Sequence, residues 1–154
     1  MKSALALLTT AFCAVSTSVL SAQLAPVGQN VFTCELKSIN LEEGHSLMIG
    51  NWKGLQVTNA NSPDNNSTID CVGIFEGMPG KSFKVSGYCL HVDRDGDKWI
   101  DRWWNDSTMK KGRWEGTGIS GKWKEVRGVM GNFVYTDLSS DTGCKGISNW
   151  EVAR

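Results

Sequence analysis

The stretch over residues 82–104, SFKVSGYCLHVDRDGDKWIDRWW, constrains the fold more than any other part of the chain. Its first part, Ser82–Val92, is rich in aromatic and β-branched residues, lacks proline and shows no helical spacing of apolar residues, which favours a strand. Residues 93–97 supply turn-forming aspartates and a glycine, and residues 98–104 return with three tryptophans. The stretch therefore predicts a β-hairpin.

The register of this hairpin depends on the length of its turn. A symmetric five-residue turn places Leu90 opposite Ile100 and His91 opposite Trp99, whereas a four-residue turn places Leu90 opposite Trp99. A shift of one residue changes every cross-strand partner. Both registers stay open at the level of sequence.

The first 22 residues, MKSALALLTTAFCAVSTSVLSA, have the pattern of a secretory signal peptide. One lysine precedes an apolar stretch that is too short to cross a bilayer, and small residues follow toward Ala22. We therefore expect cleavage near Ala22, export to the periplasm or the medium, and one mature domain over residues 23–154. A chain of about 130 residues is long enough to bury a core as one domain.

Four of the five cysteines lie in the expected mature chain, which predicts two disulfides in an exported protein. Cys71 and Cys89 flank a turn over residues 78–81 at nearly equal distances, so they should face each other across neighbouring strands. Cys34 and Cys144 lie near the two ends of the domain and should join the terminal strands. We expect the pairs Cys71–Cys89 and Cys34–Cys144 rather than free thiols.

Turn signals recur about every 8–12 residues, and no segment of the mature chain reads as a helix. Roughly eight or nine short strands result, joined by successive hairpins, and the alternation over Val31–Lys37 predicts the first of them. This pattern favours an all-β fold, an antiparallel up-and-down barrel whose last strand pairs with its first. Glycines between residues 112 and 131 would relieve crowding where the sheet coils tightly.

The charges of the chain give no sign of a nucleic-acid partner. Sixteen basic and sixteen acidic residues leave a formal net charge of zero, and no block of like charge stands out. No other segment is apolar for long enough to predict membrane insertion.

The turn of the hairpin invites comparison with a calcium-binding EF-hand loop. Four carboxylates match ligand positions 1, 3, 5 and 9: Asp93, Asp95, Asp97 and Asp101. However, Lys98 stands where the loop needs glycine, Trp104 stands where it needs a bidentate glutamate, and the flanks read as strands. We therefore expect a solvated turn rather than a metal site.

His45 and His91 are the only histidines, and neither belongs to a zinc motif. His91 is the one candidate for an acid–base group, because it lies beside the turn and near Asp101 in one register. A structural hydrogen bond from a strand histidine is the favoured interpretation. No nucleophile motif is present.

Seven tryptophans, all beyond the signal peptide, are the least ordinary feature of the chain. We place them on strands, where they either fill the barrel or line a lumen that holds one small ligand. The residues expected to contact such a ligand are Trp52, Tyr88, His91, Trp99, Trp103, Trp114 and Trp123.

Two stretches, GKSFKVSGYCLHVDRDGDK and GRWEGTGISGKWKEVRGVMGNFVY, resemble small exported bacterial β-barrel proteins, mostly uncharacterised, that are similar to the allene-oxide-cyclase-like (calycin-like) barrels. The matching features are a Gly-Tyr-Cys strand at residues 87–89, the acidic turn at 93–98 and the glycines of residues 116–128. The resemblance implies a barrel fold. None of the plant cyclase's catalytic residues is found at a matching position, so it implies no catalytic role.

These observations favour non-enzymatic binding of a small hydrophobic or aromatic molecule inside the barrel, with no cofactor. One alternative is a structural or interaction module with a filled lumen. Another is a cyclase or isomerase of the related barrel family. The sequence leaves the oligomeric state open.

Overall fold

A computed structural model describes residues 22–139 and 144–153. All but the last residue of the expected signal peptide lies outside these ranges. Eight strands follow one another along the chain: β1 (Val27–Glu42), β2 (His45–Val57), β3 (Ser67–Met78), β4 (Ser82–Val92), β5 (Lys98–Asp106), β6 (Gly112–Gly118), β7 (Val129–Ser139) and β8 (Cys144–Val152). Two short 3-10 helices, Pro79–Lys81 and Gly121–Trp123, lie between strands.

The eight strands form a closed antiparallel barrel in which each strand pairs with its neighbour in sequence. Closure comes from β1 and β8, which pair from Val27 opposite Glu151 to Cys34 opposite Cys144. The predicted all-β up-and-down barrel is confirmed, and the architecture is consistent with a calycin-like barrel. Closure leaves no strand edge unpaired along this contact, which removes a template for aggregation.

The hairpin of β4 and β5 adopts the symmetric register. Leu90 lies opposite Ile100 and His91 lies opposite Trp99, as a five-residue turn requires. Gly96 has a φ of +83°, a left-handed conformation that glycine adopts without steric cost. This register sends residues 99, 101 and 103 of β5 into the barrel, where they are buried.

Both predicted disulfides are present. Cys34–Cys144 joins the first and last strands with a Cα–Cα distance of 4.8 Å. Cys71–Cys89 joins directly paired residues of β3 and β4 at 4.0 Å. Disulfides of this kind persist in a non-reducing environment.

The inner face of the barrel combines large aromatic rings with glycines. Trp103 lies over Gly73 and Gly87, and a Cβ atom on Gly87 would come within 2.4 Å of the indole ring and 2.3 Å of the Val72 carbonyl oxygen. The missing side chains therefore create the room that the tryptophan occupies.

Two details of the sequence interpretation are wrong. We expected all tryptophans on strands, but Trp123 belongs to the 3-10 helix Gly121–Trp123, where glycine and serine residues interrupt the strand pairing. We also began the first strand at Val31, whereas β1 begins at Val27, because residues 27–30 pair with β8. Residues 27–30 are too polar for their own sequence to predict a strand, and their pairing with β8 is what extends β1.

None of the helices in the described part of the chain is long and apolar enough to cross a membrane.

Candidate functional site

A cavity lies inside the barrel and receives side chains from all eight strands. Its lining is dominated by eight aromatic residues: Phe32, Trp52, Trp99, Trp103, Trp114, Phe133, Tyr135 and Trp150. The remaining lining residues are Asn30, Gln56, Ile69, the Cys71–Cys89 disulfide, Asp101 and Ser148. The space that a water-sized molecule can occupy is about 60 Å³.

The aromatic rings meet mostly edge to face. Trp52 stands at 89° to Trp103 with ring centroids 5.6 Å apart, and Trp114 stands at 85° to Trp150 at 5.9 Å. Edge-to-face pairs are favourable because the positive edge of one ring meets the negative face of the next. These contacts fix the shape of the cavity wall.

Four indole N–H groups in this wall are buried without a hydrogen-bond partner among the described residues. They belong to Trp99, Trp103, Trp114 and Trp150. Two side-chain oxygens of the lining, Asp101 Oδ1 and Asn30 Oδ1, are likewise buried without a hydrogen-bond partner among the described residues. A buried indole N–H ordinarily finds an acceptor, so a cavity wall with four unpartnered donors is unusual.

His91 and Asp101 form a buried pair at the edge of the cavity. His91 Nε2 lies 3.1 Å from Asp101 Oδ2, and the two residues are 1% and 7% exposed. The imidazole also stacks on Trp99, with ring centroids 3.6 Å apart. Asp101 lines the cavity while His91 lies behind it, so the carboxylate is the member of the pair that an occupant would meet.

Tyr135 also lines the cavity, although 37% of the residue is exposed. Burial of the phenol group, together with the negative charge of Asp101, raises the pKa of Tyr135 to about 12. The phenol is therefore neutral at physiological pH and remains available as a hydrogen-bond donor.

The aspartate turn between β4 and β5 is held by the protein itself. Asp93 Oδ1 accepts from the backbone N–H of Asp95 and Asp97, and Asp93 Oδ2 accepts from Trp123 Nε1 at 2.7 Å. Lys122 pairs with Asp93 and Asp95. Burial alone would raise the pKa of Asp93, but the hydrogen bonds from Lys122, Trp123 and the backbone hold it below its ordinary value.

The four candidate calcium ligands are not brought together. Asp93, Asp95 and Asp97 contact Lys122 or backbone N–H groups, whereas Asp101 is paired with His91 inside the barrel. Among the described residues, the one group of three metal-ligating side chains within 4.8 Å is Cys89, His91 and Asp101. The Cys89 sulfur belongs to a disulfide and offers no thiolate.

A second buried carboxylate, that of Asp64, lies in the loop between β2 and β3. It is fully buried and accepts from Gln56 Nε2 at 2.8 Å, from the Ala25 backbone N–H at 3.2 Å, and from the hydroxyls of Thr58 and Ser62. This loop and the β4–β5 turn lie at the barrel end where β1 begins and β8 ends, since connections alternate between the ends of a meander. Asp64 thus fastens the segment before β1 to that end.

The predicted ligand residues divide into three groups. Trp52, Trp99, Trp103 and Trp114 line the cavity, as expected of an aromatic lumen. Tyr88 points outward and is 52% exposed, while Trp123 is buried against the aspartate turn. His91 touches the site only through Asp101 and Trp99.

Several lining residues were not predicted from the sequence to contact a ligand, namely Asn30, Phe32, Phe133, Tyr135, Ser148 and Trp150. Alternation along each strand would have sorted inward from outward residues once one register was known. Asp101 was named as a candidate calcium ligand and as a neighbour of His91 in one register, but not as a lining residue, because its inward orientation depends on the hairpin register.

The fold and the cavity define a class: a closed, disulfide-linked, eight-stranded antiparallel barrel with an aromatic interior. Comparison of the chain with protein-family models, with curated proteins and with solved structures finds no match. We therefore infer the candidate function from the residues that line the cavity.

Proposed function

We propose that this protein binds a small hydrophobic or aromatic molecule inside its barrel, without catalysing a reaction. The observation that supports this most is the set of four unpartnered indole N–H groups in one aromatic wall. A molecule with an apolar body and a hydrogen-bond acceptor would satisfy both the rings and the donors.

The size of the cavity limits the ligand. The available space is about 60 Å³, whereas a cavity of about 150 Å³ admits benzene in an engineered protein. A ligand of about one ring would therefore enter only with movement of the tryptophan side chains. Eight-stranded barrels are of a width that either fills with side chains or holds one small ligand.

We also propose that the protein acts outside the cytoplasm. The signal-peptide pattern of residues 1–22 and the two disulfides support export. Mass spectrometry of the mature protein from its own compartment would give the cleavage site and any adduct carried by the barrel.

A titration with benzyl alcohol tests the binding function. The indole N–H signals in a ¹H–¹⁵N NMR spectrum report directly on the cavity wall, and we expect saturable shifts of those of Trp99, Trp103, Trp114 and Trp150. Absence of any saturable shift up to the solubility limit would reject the proposal.

A matched pair of variants locates the binding. Ser148 is buried in the lining, so Ser148→Leu fills the cavity and should abolish the shifts. Ser86 lies exposed on the outer face of β4, and Ser86→Leu should leave them unchanged. Equal effects of the two variants would place the ligand outside the barrel.

A second function, that of an interaction module with a filled lumen, is favoured by the small volume of the cavity. Its surface would be the apolar outer face, where Val72 lies opposite Tyr88 and Ile49 opposite Ile74. This function predicts no benzyl alcohol binding, together with self-association that Val72→Lys disrupts in sedimentation experiments.

A cyclase or isomerase activity is the remaining alternative. It would use the His91–Asp101 pair as an acid–base group, with Asp101 facing the ligand. Turnover of a bound ligand that Asp101→Asn abolishes while the fold survives would establish it.

A further inference from the structure

We propose that the ligand of the barrel carries a protonated amine, which pairs with Asp101 inside the aromatic cavity. This inference rests on the proposed binding function and names the chemical class of the ligand. It would make the barrel a receptor for a small organic cation.

Asp101 has the position and an unused hydrogen-bond acceptor for such a pair. It points inward from the middle of β5, between Trp99 and Trp103 on the same face of the strand. One carboxylate oxygen contacts His91 Nε2. The other, Oδ1, is buried without a hydrogen-bond partner among the described residues. A buried carboxylate oxygen without a donor is costly, and an ammonium group would supply one.

The charge balance of the cavity also favours a cation. Asp101 is the one residue with a formal charge among the described residues that line it. Because Asp101 is buried, its negative charge attracts a cation more strongly than it would at the surface and repels an anion.

The contact with His91 does not cancel this charge when the imidazole is neutral. A neutral imidazole donates from one nitrogen only, and Asp101 is the acceptor that His91 contacts, which places the proton on Nε2. Nδ1 is buried without a partner among the described residues. With a neutral imidazole, His91 orients the carboxylate and leaves its charge available.

Some of the aromatic rings in the wall offer a cation a second kind of contact. The faces of aromatic rings carry negative charge density, and tryptophan binds cations best. Trp99 and Trp103 flank Asp101 along β5, and Trp114 pairs with Trp103 across β5 and β6. Asn30 Oδ1 is a further buried acceptor of the lining without a partner among the described residues.

Three probes of one skeleton separate charge from shape: benzylamine, which is protonated at neutral pH, benzyl alcohol and benzoate. Their dissociation constants for the wild-type protein are measured by isothermal titration calorimetry and by shifts of the indole N–H signals. We expect benzylamine to bind at least about tenfold more tightly than benzyl alcohol, the ratio that a desolvated charge pair provides, and benzoate not to bind.

Asp101→Asn keeps the size of the side chain and removes its charge. In this variant the affinities for benzylamine and benzyl alcohol should become equal within about twofold. Asp70→Asn is the matched control, because Asp70 lies exposed on the outer face of β3, and it should preserve the wild-type ratio. Circular dichroism establishes that each variant is folded.

The outcomes distinguish this inference from the function on which it rests. If the wild-type protein binds benzylamine and benzyl alcohol equally well, cation recognition is wrong while the binding function stands. Tighter binding of benzoate would likewise overturn the inference and show that the indole N–H donors select the ligand. Binding of none of the three would overturn both. The comparison on the wild-type protein decides the matter even if Asp101→Asn fails to fold.

Discussion

The imidazole of His91 lies flat against the indole of Trp99, with ring centroids 3.6 Å apart and ring planes 14° apart. The two residues are directly paired across β4 and β5. This stack holds the imidazole where its Nε2 reaches Asp101. The orientation of the one cavity carboxylate therefore depends on the register of a single hairpin.

A double-mutant cycle should show strong coupling between His91 and Asp101. His91→Phe keeps a ring against Trp99 but leaves the buried carboxylate alone, so we expect a loss of about 3 kcal/mol in the free energy of unfolding. Asp101→Asn combined with His91→Phe should cost less than the sum of the single changes, by about 1–3 kcal/mol. Urea unfolding followed by circular dichroism measures these values. Additive effects would show that the pair has no energetic coupling.

Asp93 should give the protein an acid-sensitive component of stability. Its folded-state pKa lies below the ordinary value of 3.8, so its contribution is present above that value and is lost as pH falls through the folded-state pKa. Asp93→Asn should therefore lower stability near pH 7, by about 1–3 kcal/mol, and reduce the dependence on pH below about 4. Thermal unfolding from pH 2 to 7 tests this. The exposed control Asp70→Asn should retain the wild-type profile.

Asp64 should hold the segment before β1 in place. Asp64→Asn removes an acceptor from a fully buried site with four donors, and we expect a loss of about 3 kcal/mol in unfolding free energy. The backbone amide of Ala25 should also exchange with solvent faster. Hydrogen exchange detected by NMR measures both effects. Asn61→Ala, an exposed change in the same loop, is expected to alter neither.

The two disulfides should differ in their contribution to stability. Cys34 and Cys144 are 110 residues apart in sequence, whereas Cys71 and Cys89 are 18 apart. Constraint of the unfolded chain therefore predicts a loss of about 5 kcal/mol for the first pair and about 3 kcal/mol for the second when each is changed to alanine. Chemical denaturation of the two double variants gives the comparison. Equal losses would contradict an origin in loop entropy.

Gly87 should tolerate no side chain. The Cβ of Gly87→Ala would meet the Val72 carbonyl oxygen at 2.3 Å and the Trp103 ring at 2.4 Å, so we expect a loss of about 2–3 kcal/mol and a shifted Trp103 indole signal. Gly77→Ala, in the neighbouring strand, would meet the Ser46 hydroxyl at 3.0 Å and the Phe75 ring at 3.4 Å, both of them side-chain atoms. Gly77→Ala should therefore cause a smaller loss of stability than Gly87→Ala. Thermal denaturation and NMR compare the two variants, and an unshifted Trp103 signal in Gly87→Ala would contradict this account.

The local features of this protein can be predicted from short stretches of its sequence. Alternating apolar residues, turn residues at short spacing and four cysteines predicted an all-β barrel with two specific disulfides, and the structure confirms each of these. These features follow from interactions between residues close in sequence, or from pairing rules that apply to any meander. Four of the predicted ligand residues, Trp52, Trp99, Trp103 and Trp114, line the cavity, and their role in binding stays a prediction.

Contacts between side chains that are distant in sequence depend on the closed barrel. Trp123 contacts Asp93 from 30 residues away, and Asp64 reaches Ala25 from 39 residues away. Such contacts depend on the stagger of eight strands around a closed barrel, which no single segment encodes. One residue of register separates an Asp101 that faces the cavity from one that faces solvent, because successive side chains of a strand point to opposite faces. The charge of the cavity is for that reason a property of the closed barrel.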